Sequence, residues 1–195
     1  MLLYWLFGYL LGSLPFGLWI TRLVKKVDVR DGGSGHVTTT NTIRQAGFAP
    51  GALVLILDIS KGFIPTFLAI RAGLPAWSVA LVAGLTVIGH CYPVFANFRG
   101  GMGLAAAGGA MIATNFTVAM IVLAFLILLV LVIRHSARAA LFTGLLAPFL
   151  LWLLHFRGTE LWVMSATGIV IAIRFADDWK RKYNELWLDR EKEQS

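Results

Sequence analysis

Phe116-Thr-Val-Ala-Met-Ile-Val-Leu-Ala-Phe-Leu-Ile-Leu-Leu-Val-Leu-Val-Ile133 contains no charged residue and only one hydroxyl. A helix that crosses the hydrocarbon of a bilayer needs about 20 mostly apolar residues, and this stretch supplies almost all of them. The rest of the chain agrees with it. Of 195 residues, 58% are hydrophobic and 14% are charged, whereas a soluble domain is about half apolar and about a quarter charged. A chain of this length cannot hide that excess in one water-soluble core. The fold class that follows is an all-α integral membrane protein.

Outward from this anchor, Leu2 to Val24, Ala49 to Ile70, Ala76 to Phe95, Ala139 to Leu154 and Leu161 to Phe175 read as further spans. Gly12, Ser13 and Pro15 fall inside the first of them, which membrane helices tolerate when neighbours satisfy the backbone. Leu104 to Thr114 is short and rich in small residues and reads as a short fourth helix buried among the others. The total is about seven transmembrane helices in a single membrane-embedded domain over residues 1–195. No basic leader or A-x-A site precedes the first span, so no cleavable signal peptide is expected. Residues 176–195 form a charged tail, read as a short interfacial helix anchored by Trp179 and Trp187.

The net charge of +7 is read as topology, not as affinity for nucleic acid. With the N-terminus outside, the inner segments collect Arg22, Lys25, Lys26, Arg30, Arg44, Arg99, Arg134, Arg138 and the basic residues from Arg174 onward. The outer loops hold Arg71 and Arg157. That asymmetry places the C-terminus in the cytoplasm. It also places two glycine-rich segments, Lys25 to Gly47 and Phe98 to Gly109, on the cytoplasmic side. The single cysteine, Cys91, excludes an internal disulfide.

The first polar segment carries Gly33-Ser34-Gly35, then Thr38 to Thr40, Asn41 and Arg44. Glycines let backbone N–H groups turn inward as an anion nest, and hydroxyls with an arginine add donors that suit phosphate. A plain solvated loop is the alternative. No lysine and hydroxyl close the glycine run, so the phosphate-loop pattern of nucleotide hydrolases is missing. The second segment carries His90 at a span's end, then Arg99-Gly100-Gly101-Met102-Gly103, either a second nest or a tight loop between packed helices. A histidine inside a membrane helix is costly and is read as functional. Asp58 and Lys61 lie three residues apart on one helical face, as a structural ion pair or facing substrate. The histidines show no ligand spacing, so no metal is expected. Ser34 and His90 can form a nucleophile–base pair only if the fold brings them together.

In order along the chain, these motifs resemble those of the bacterial acyl-phosphate:glycerol-3-phosphate acyltransferases, the PlsY family. Gly12-Ser-Leu-Pro-Phe-Gly17 resembles its opening motif. Asp28-Val-Arg with Gly33-Ser34-Gly35, Thr40-Asn41 and Arg44-x-x-Gly47 resembles its first signature loop. Leu57-Asp58-x-x-Lys61-Gly62 and Gly89-His90-x-x-Pro93-x-Phe95-x-x-Phe98-x-Gly-Gly-x-Gly103 resemble the next two. The motif match covers about residues 8 to 140.

The resemblance implies a multi-pass protein of the bacterial inner membrane with its active site facing the cytoplasm. It implies transfer of a fatty acyl group from acyl phosphate to the 1-hydroxyl of glycerol 3-phosphate, the first step of phospholipid synthesis. No cofactor or metal is implied. The implied partners are the two substrates, membrane lipids and an enzyme that produces acyl phosphate. By residue, Ser34 and His90 would be catalytic. Gly33, Gly35, Thr40, Asn41, Arg44, Arg99, Gly100, Gly101, Gly103 and Ser136 would bind substrate, and Asp58 and Lys61 would be structural or face it.

The chain departs from the family pattern in one region of chemistry. His36 stands for an asparagine, Thr38 and Thr39 for a Gly-Ala pair, and Met102 for a lysine. Phe175 and Asp178 stand for a histidine and an asparagine. Either Arg99 and other bases compensate, or the chain is an impaired paralogue that binds lipid or phosphate. A small transporter is disfavoured because the polar residues cluster at one face. A CDP-alcohol phosphotransferase is disfavoured because its repeated aspartates are missing.

Overall fold

The structure is a computed structural model that describes residues 1–179. Among the described residues all regular structure is helical: α1 (Leu2–Gly12), α2 (Phe16–Lys25), α3 (Thr39–Ala46), α4 (Phe48–Arg71), α5 (Ala76–Cys91), α6 (Leu104–Thr114), α7 (Phe116–Ile133), α8 (Ser136–Leu153) and α9 (Thr159–Ala176). The tail from residue 180 onward, with Trp187, lies outside the described residues.

Six segments are long and apolar enough to cross a membrane: Leu2–Lys25, Phe48–Arg71, Ala76–Ala96, Phe116–Ile133, Ser136–Leu153 and Thr159–Ala176. The seventh, α6, has 11 residues, so it rises roughly 16 Å against about 30 Å of hydrocarbon. The first span is two helices and not the single one expected. Pro15 lacks an N–H and interrupts the ladder, and Lys61 Nζ donates to the freed Leu14 carbonyl at 2.9 Å. The first glycine-rich segment is also more ordered than a loop. It contains a 3-10 turn at Val29–Asp31 and α3, which is capped by Thr38 accepting from Asn41 N–H.

The helices meet through small residues, as membrane bundles do. Along α4 the buried positions Gly51, Val54, Asp58, Lys61, Gly62, Pro65 and Ala69 form one helical stripe. Against it lies α6, where a Cβ on Gly62 would overlap the Ala106 carbonyl and one on Gly109 the Ile59 carbonyl. Gly144 of α8 and Gly168 of α9 meet each other's carbonyls in the same way. In its most apolar window α5 is 67% buried and α7 is 11% buried. The first is therefore the centre of the bundle and the second its lipid-facing wall. Leu131 and Val132 at the end of α7 expose 68% and 70% of their surface, a cost in water that lipid removes.

Trp5 Nε1 donates to Ser78 Oγ at 3.0 Å, so α1 and α5 begin at the same end of the bundle. Arg174 near the end of α9 donates to the Gly101 carbonyl and lies over the Tyr92 ring, at the end where α5 stops. The beginning of α1 and the end of α9 are thus at opposite ends. Short as it is, α6 runs from one end of the bundle toward the other. It starts beside Val87 and Cys91, and Ala110 and Met111 pack in one cluster with Val79 and Val163 near the starts of α5 and α9.

Candidate active site

The polar segments converge at the end of the bundle where α5 and α9 stop. Asn41 organises the first. Its amide N–H groups donate to the carbonyls of Val29, Gly32 and His36 at 2.8, 3.1 and 3.0 Å. Its oxygen accepts from Ser34 N–H and Gln45 Nε2, each at 3.2 Å. The side chain is fully buried. Asn41 was expected to bond substrate, but its hydrogen-bonding capacity holds the loop that presents Ser34. Gly33 has φ +58, and a Cβ there would collide with Asn41 Oδ1, so only glycine fits.

A charged clasp closes the base of this loop. Arg30 donates to both Asp28 oxygens at 2.9 and 2.7 Å and to the Ala96 carbonyl at 3.0 Å. Arg22 adds a contact to Asp28 at 2.7 Å. The hydrogen bonds from Arg30 hold the Asp28 carboxyl well below the usual carboxylate range against the opposing effect of burial, and Asp28 in turn raises Arg30. Beneath the clasp, Leu18, Val29, Val37 and Ala96 form a small core. Val37 N–H donates to the Gly100 carbonyl, which joins the two glycine-rich segments.

The second segment differs from the expected cradle. Gly100 N–H and Gly101 N–H donate to the carbonyls of Cys91 and His90 at 3.2 and 3.0 Å. A Cβ on Gly100 would overlap the His90 carbonyl, and one on Gly101 would overlap His90 Nε2. These glycines permit close packing and do not offer free backbone donors. Arg99 is exposed and is not on the cavity wall. Gly103 keeps a place there. Its φ of +86 starts α6 directly at the cavity.

Asp58, Lys61 and His90 form a buried polar group. Asp58 Oδ1 is 2.9 Å from Lys61 Nζ and 3.7 Å from His90 Nδ1. Lys61 also donates to Leu14 and lies over the Phe16 ring, so it is the structural member. Asp58 and His90 reach the cavity, and His90 Nδ1 has no hydrogen-bond partner.

The cavity that these segments enclose holds about 1170 Å³. Its polar end is lined by Ser34, Thr40, Arg44, His90, Arg134 and Ser136, among others. It then continues between α4, α6 and α7 along Ile59, Met111, Met120 and Leu123. Three helix starts open onto the polar end: Thr39 and Thr40 of α3, Leu104 and Ala105 of α6, and Ser136 of α8. First-turn N–H groups have no intrahelical acceptor and carry positive partial charge, which suits an anion. The structure thus gathers Ser34, Thr40, Asn41, Arg44, Asp58, His90, Gly103 and Ser136 in the lining of one cavity. Gly33, Gly35, Lys61, Arg99, Gly100 and Gly101 lie behind or beside it. It adds Arg134 and His135, whose signal in the sequence was only proximity to a span's end, and it brings in Thr39 of the expected hydroxyl run, whose buried Oγ1 lacks a partner. Met102 and Phe175 touch the cavity too, yet both belong to an apolar cluster with Val87 and Ile171. Among the described residues, no three of His, Cys, Asp and Glu are arranged to hold a metal.

Fold and cavity define an integral membrane protein whose site is cationic and polar at one end and apolar along its length. The family model for glycerol-3-phosphate acyltransferase matches residues 2–185. The glycerol-3-phosphate acyltransferase of Shewanella oneidensis is 40% identical over 174 residues, 89% of this chain and 85% of that one. That of Shewanella woodyi is 40% identical over 147 residues, covering 75% and 73%. The crystal structure of PlsY (YgiH), an integral membrane glycerol 3-phosphate acyltransferase in its glycerol 3-phosphate form, superposes with a TM-score of 0.80 at 35% identity. It covers 91% of this chain and 88% of that chain. The lysophosphatidic acid form superposes at 0.78 with 33% identity, over the same shares. The chain belongs to the glycerol-3-phosphate acyltransferase family and is an integral membrane acyltransferase.

Proposed function

We propose that this chain transfers a fatty acyl group from acyl phosphate to the 1-hydroxyl of glycerol 3-phosphate, giving lysophosphatidic acid and phosphate. The observation that carries this reading is the two-part cavity. Its polar end, with three helix starts, Arg44 and Arg134, suits phosphate groups. Its length between α4, α6 and α7 suits an acyl chain. The solved relatives in their glycerol 3-phosphate and lysophosphatidic acid forms support the same pair of ligands.

Acyl phosphate is already activated, so no covalent enzyme intermediate is needed. The 1-hydroxyl oxygen bonds to the acyl carbon, the bond from that carbon to the phosphate oxygen breaks, and phosphate leaves with the electron pair. The hydroxyl proton passes to His90 or to the departing phosphate. Positioning and oxyanion stabilisation supply the rest. Ser34, held by its own N–H to Asn41, is assigned to the reacting groups. Thr40 and Arg44 are assigned to glycerol phosphate and Ser136 to the acyl phosphate. In this reading residues 1–195 form one domain of a bacterial inner membrane. The site faces the cytoplasm, where soluble glycerol 3-phosphate arrives and an acyl-phosphate-producing enzyme supplies the reactive donor.

Donor choice tests the reading. Purified protein in lipid, given glycerol 3-phosphate with acyl phosphate, acyl-CoA or acyl carrier protein, should form lysophosphatidic acid from acyl phosphate alone. Ser34→Ala should reduce that formation at least about a thousandfold. Product from acyl-CoA at an equal rate would overturn the assignment of the donor.

A further inference from the structure

Two residues set apart from the family pattern, His36 and Asp178, come from positions 142 apart in the chain and meet on the cavity wall. His36 Nε2 lies 3.4 and 3.3 Å from the two Asp178 oxygens. On the other side of the ring, Nδ1 lies 3.3 Å from an Arg174 NH2 nitrogen. A guanidinium can only donate, so Nδ1 must offer its lone pair. Nε2 therefore carries the proton and donates it to the carboxylate, which can only accept. The chemistry of its neighbours sets the imidazole as the neutral Nε2–H tautomer. Arg174 is itself fixed. Its Nε donates to the Gly101 carbonyl at 3.1 Å, its guanidinium lies over Tyr92 at 5.4 Å, and Asp177 stands 3.7 Å away. The side chains of His36, Asp178 and Arg174 expose 19%, 13% and 13% of their surface. Charge arrangement at this depth therefore matters more than on an open surface.

An Asp carboxylate on the wall of a phosphate site is unfavourable, because both charges are negative. Turning it toward a donor that is backed by an arginine answers this problem. We propose that His36 and Asp178, oriented by Arg174, form a positioning pair that directs the Asp178 charge away from the anionic substrate and so sets the affinity for glycerol 3-phosphate. The pair also ties the first glycine-rich segment to the end of α9. This inference rests on the proposed function, since it takes glycerol 3-phosphate as the ligand.

The test compares wild type, His36→Asn, Asp178→Asn and the double variant as purified full-length protein. Equilibrium binding of radiolabelled glycerol 3-phosphate is measured beside turnover with acyl phosphate. His36→Asn takes this donor from the carboxylate and should raise Kd and KM at least fivefold with kcat changed less than twofold. Asp178→Asn keeps an oxygen for Nε2–H and should stay within threefold of wild type, on the side of tighter binding. The double variant should return to within twofold of wild type, a rescue that misfolding or a purely structural tie would not produce. An unchanged Kd in His36→Asn, or a double variant as weak as His36→Asn, would overturn the pair. Wild type that binds glycerol 3-phosphate without turnover would overturn the proposed reaction while the four Kd values still decide the pair. Wild type that does not bind it would overturn both.

Discussion

Asp28 shows how a single residue holds the site's scaffold. Its carboxylate joins Arg22 on α2 to Arg30, and Arg30 reaches the Ala96 carbonyl in the other polar segment. Because Arg30 lowers its folded pKa, the unfolded chain takes up the proton first. The stabilisation is therefore complete above about pH 4, the ordinary range of an aspartate, and is lost as pH falls from there toward the folded value. Asp28→Asn should lower stability by about 2 kcal/mol at pH 7. In thermal unfolding in detergent, the Tm gap to wild type should close as the pH drops below about 4. A gap that widens on acidification would contradict the assignment. Residue chemistry also explains how the departures coexist. Met102 and Phe175, where the family pattern has lysine and histidine, pack in the same apolar cluster.

At the scale of elements, glycine decides where helices meet. Gly108 and Gly109 are neighbours on α6 with opposite surroundings. A Cβ on Gly109 would strike the Ile59 carbonyl, and one on Gly108 meets nothing within 4 Å. Gly109→Leu should cost about 4 kcal/mol or more by forcing α6 from α4. Gly108→Ala should stay within about 1 kcal/mol, toward higher stability, because it removes glycine's backbone entropy from a helix. Thermal unfolding of the two variants checks this directly, and equal losses would show that the α4–α6 contact is not close. Spans such as α7 were legible from composition, because lipid imposes one demand on every residue that faces it. The break between α1 and α2 was less legible. Pro15 marked it, but the Lys61 that satisfies Leu14 lies 47 positions away. The roles of Asn41, Gly100 and Gly101 could not be read locally either. A glycine that opens a nest and a glycine that admits a neighbouring backbone look the same in one sequence.

At the scale of the whole molecule, the two ends of the bundle have different jobs. The end with Trp5 and Ser78 is closed by packing, and the other gathers the helix starts, arginines and hydroxyls around the cavity. Most basic residues among the described ones lie toward the second end, which the proposed orientation puts on the cytoplasmic side. Cys91 is fully buried, so it gives little background to thiol labelling. Ala72→Cys, beyond the end of α4, should react with a membrane-impermeant maleimide in intact bacterial cells. Val94→Cys, at an exposed position just past the end of α5, should react only after permeabilisation. The reverse pattern would invert the topology. The central claim is that one cavity brings an activated acyl donor to a glycerol 3-phosphate hydroxyl. The most direct measurement is phosphate release from acyl phosphate by the purified protein in lipid, with and without glycerol 3-phosphate. The account predicts release that requires the acceptor and matches the lysophosphatidic acid formed, mole for mole. Release that is independent of glycerol 3-phosphate, or none at all, would contradict it.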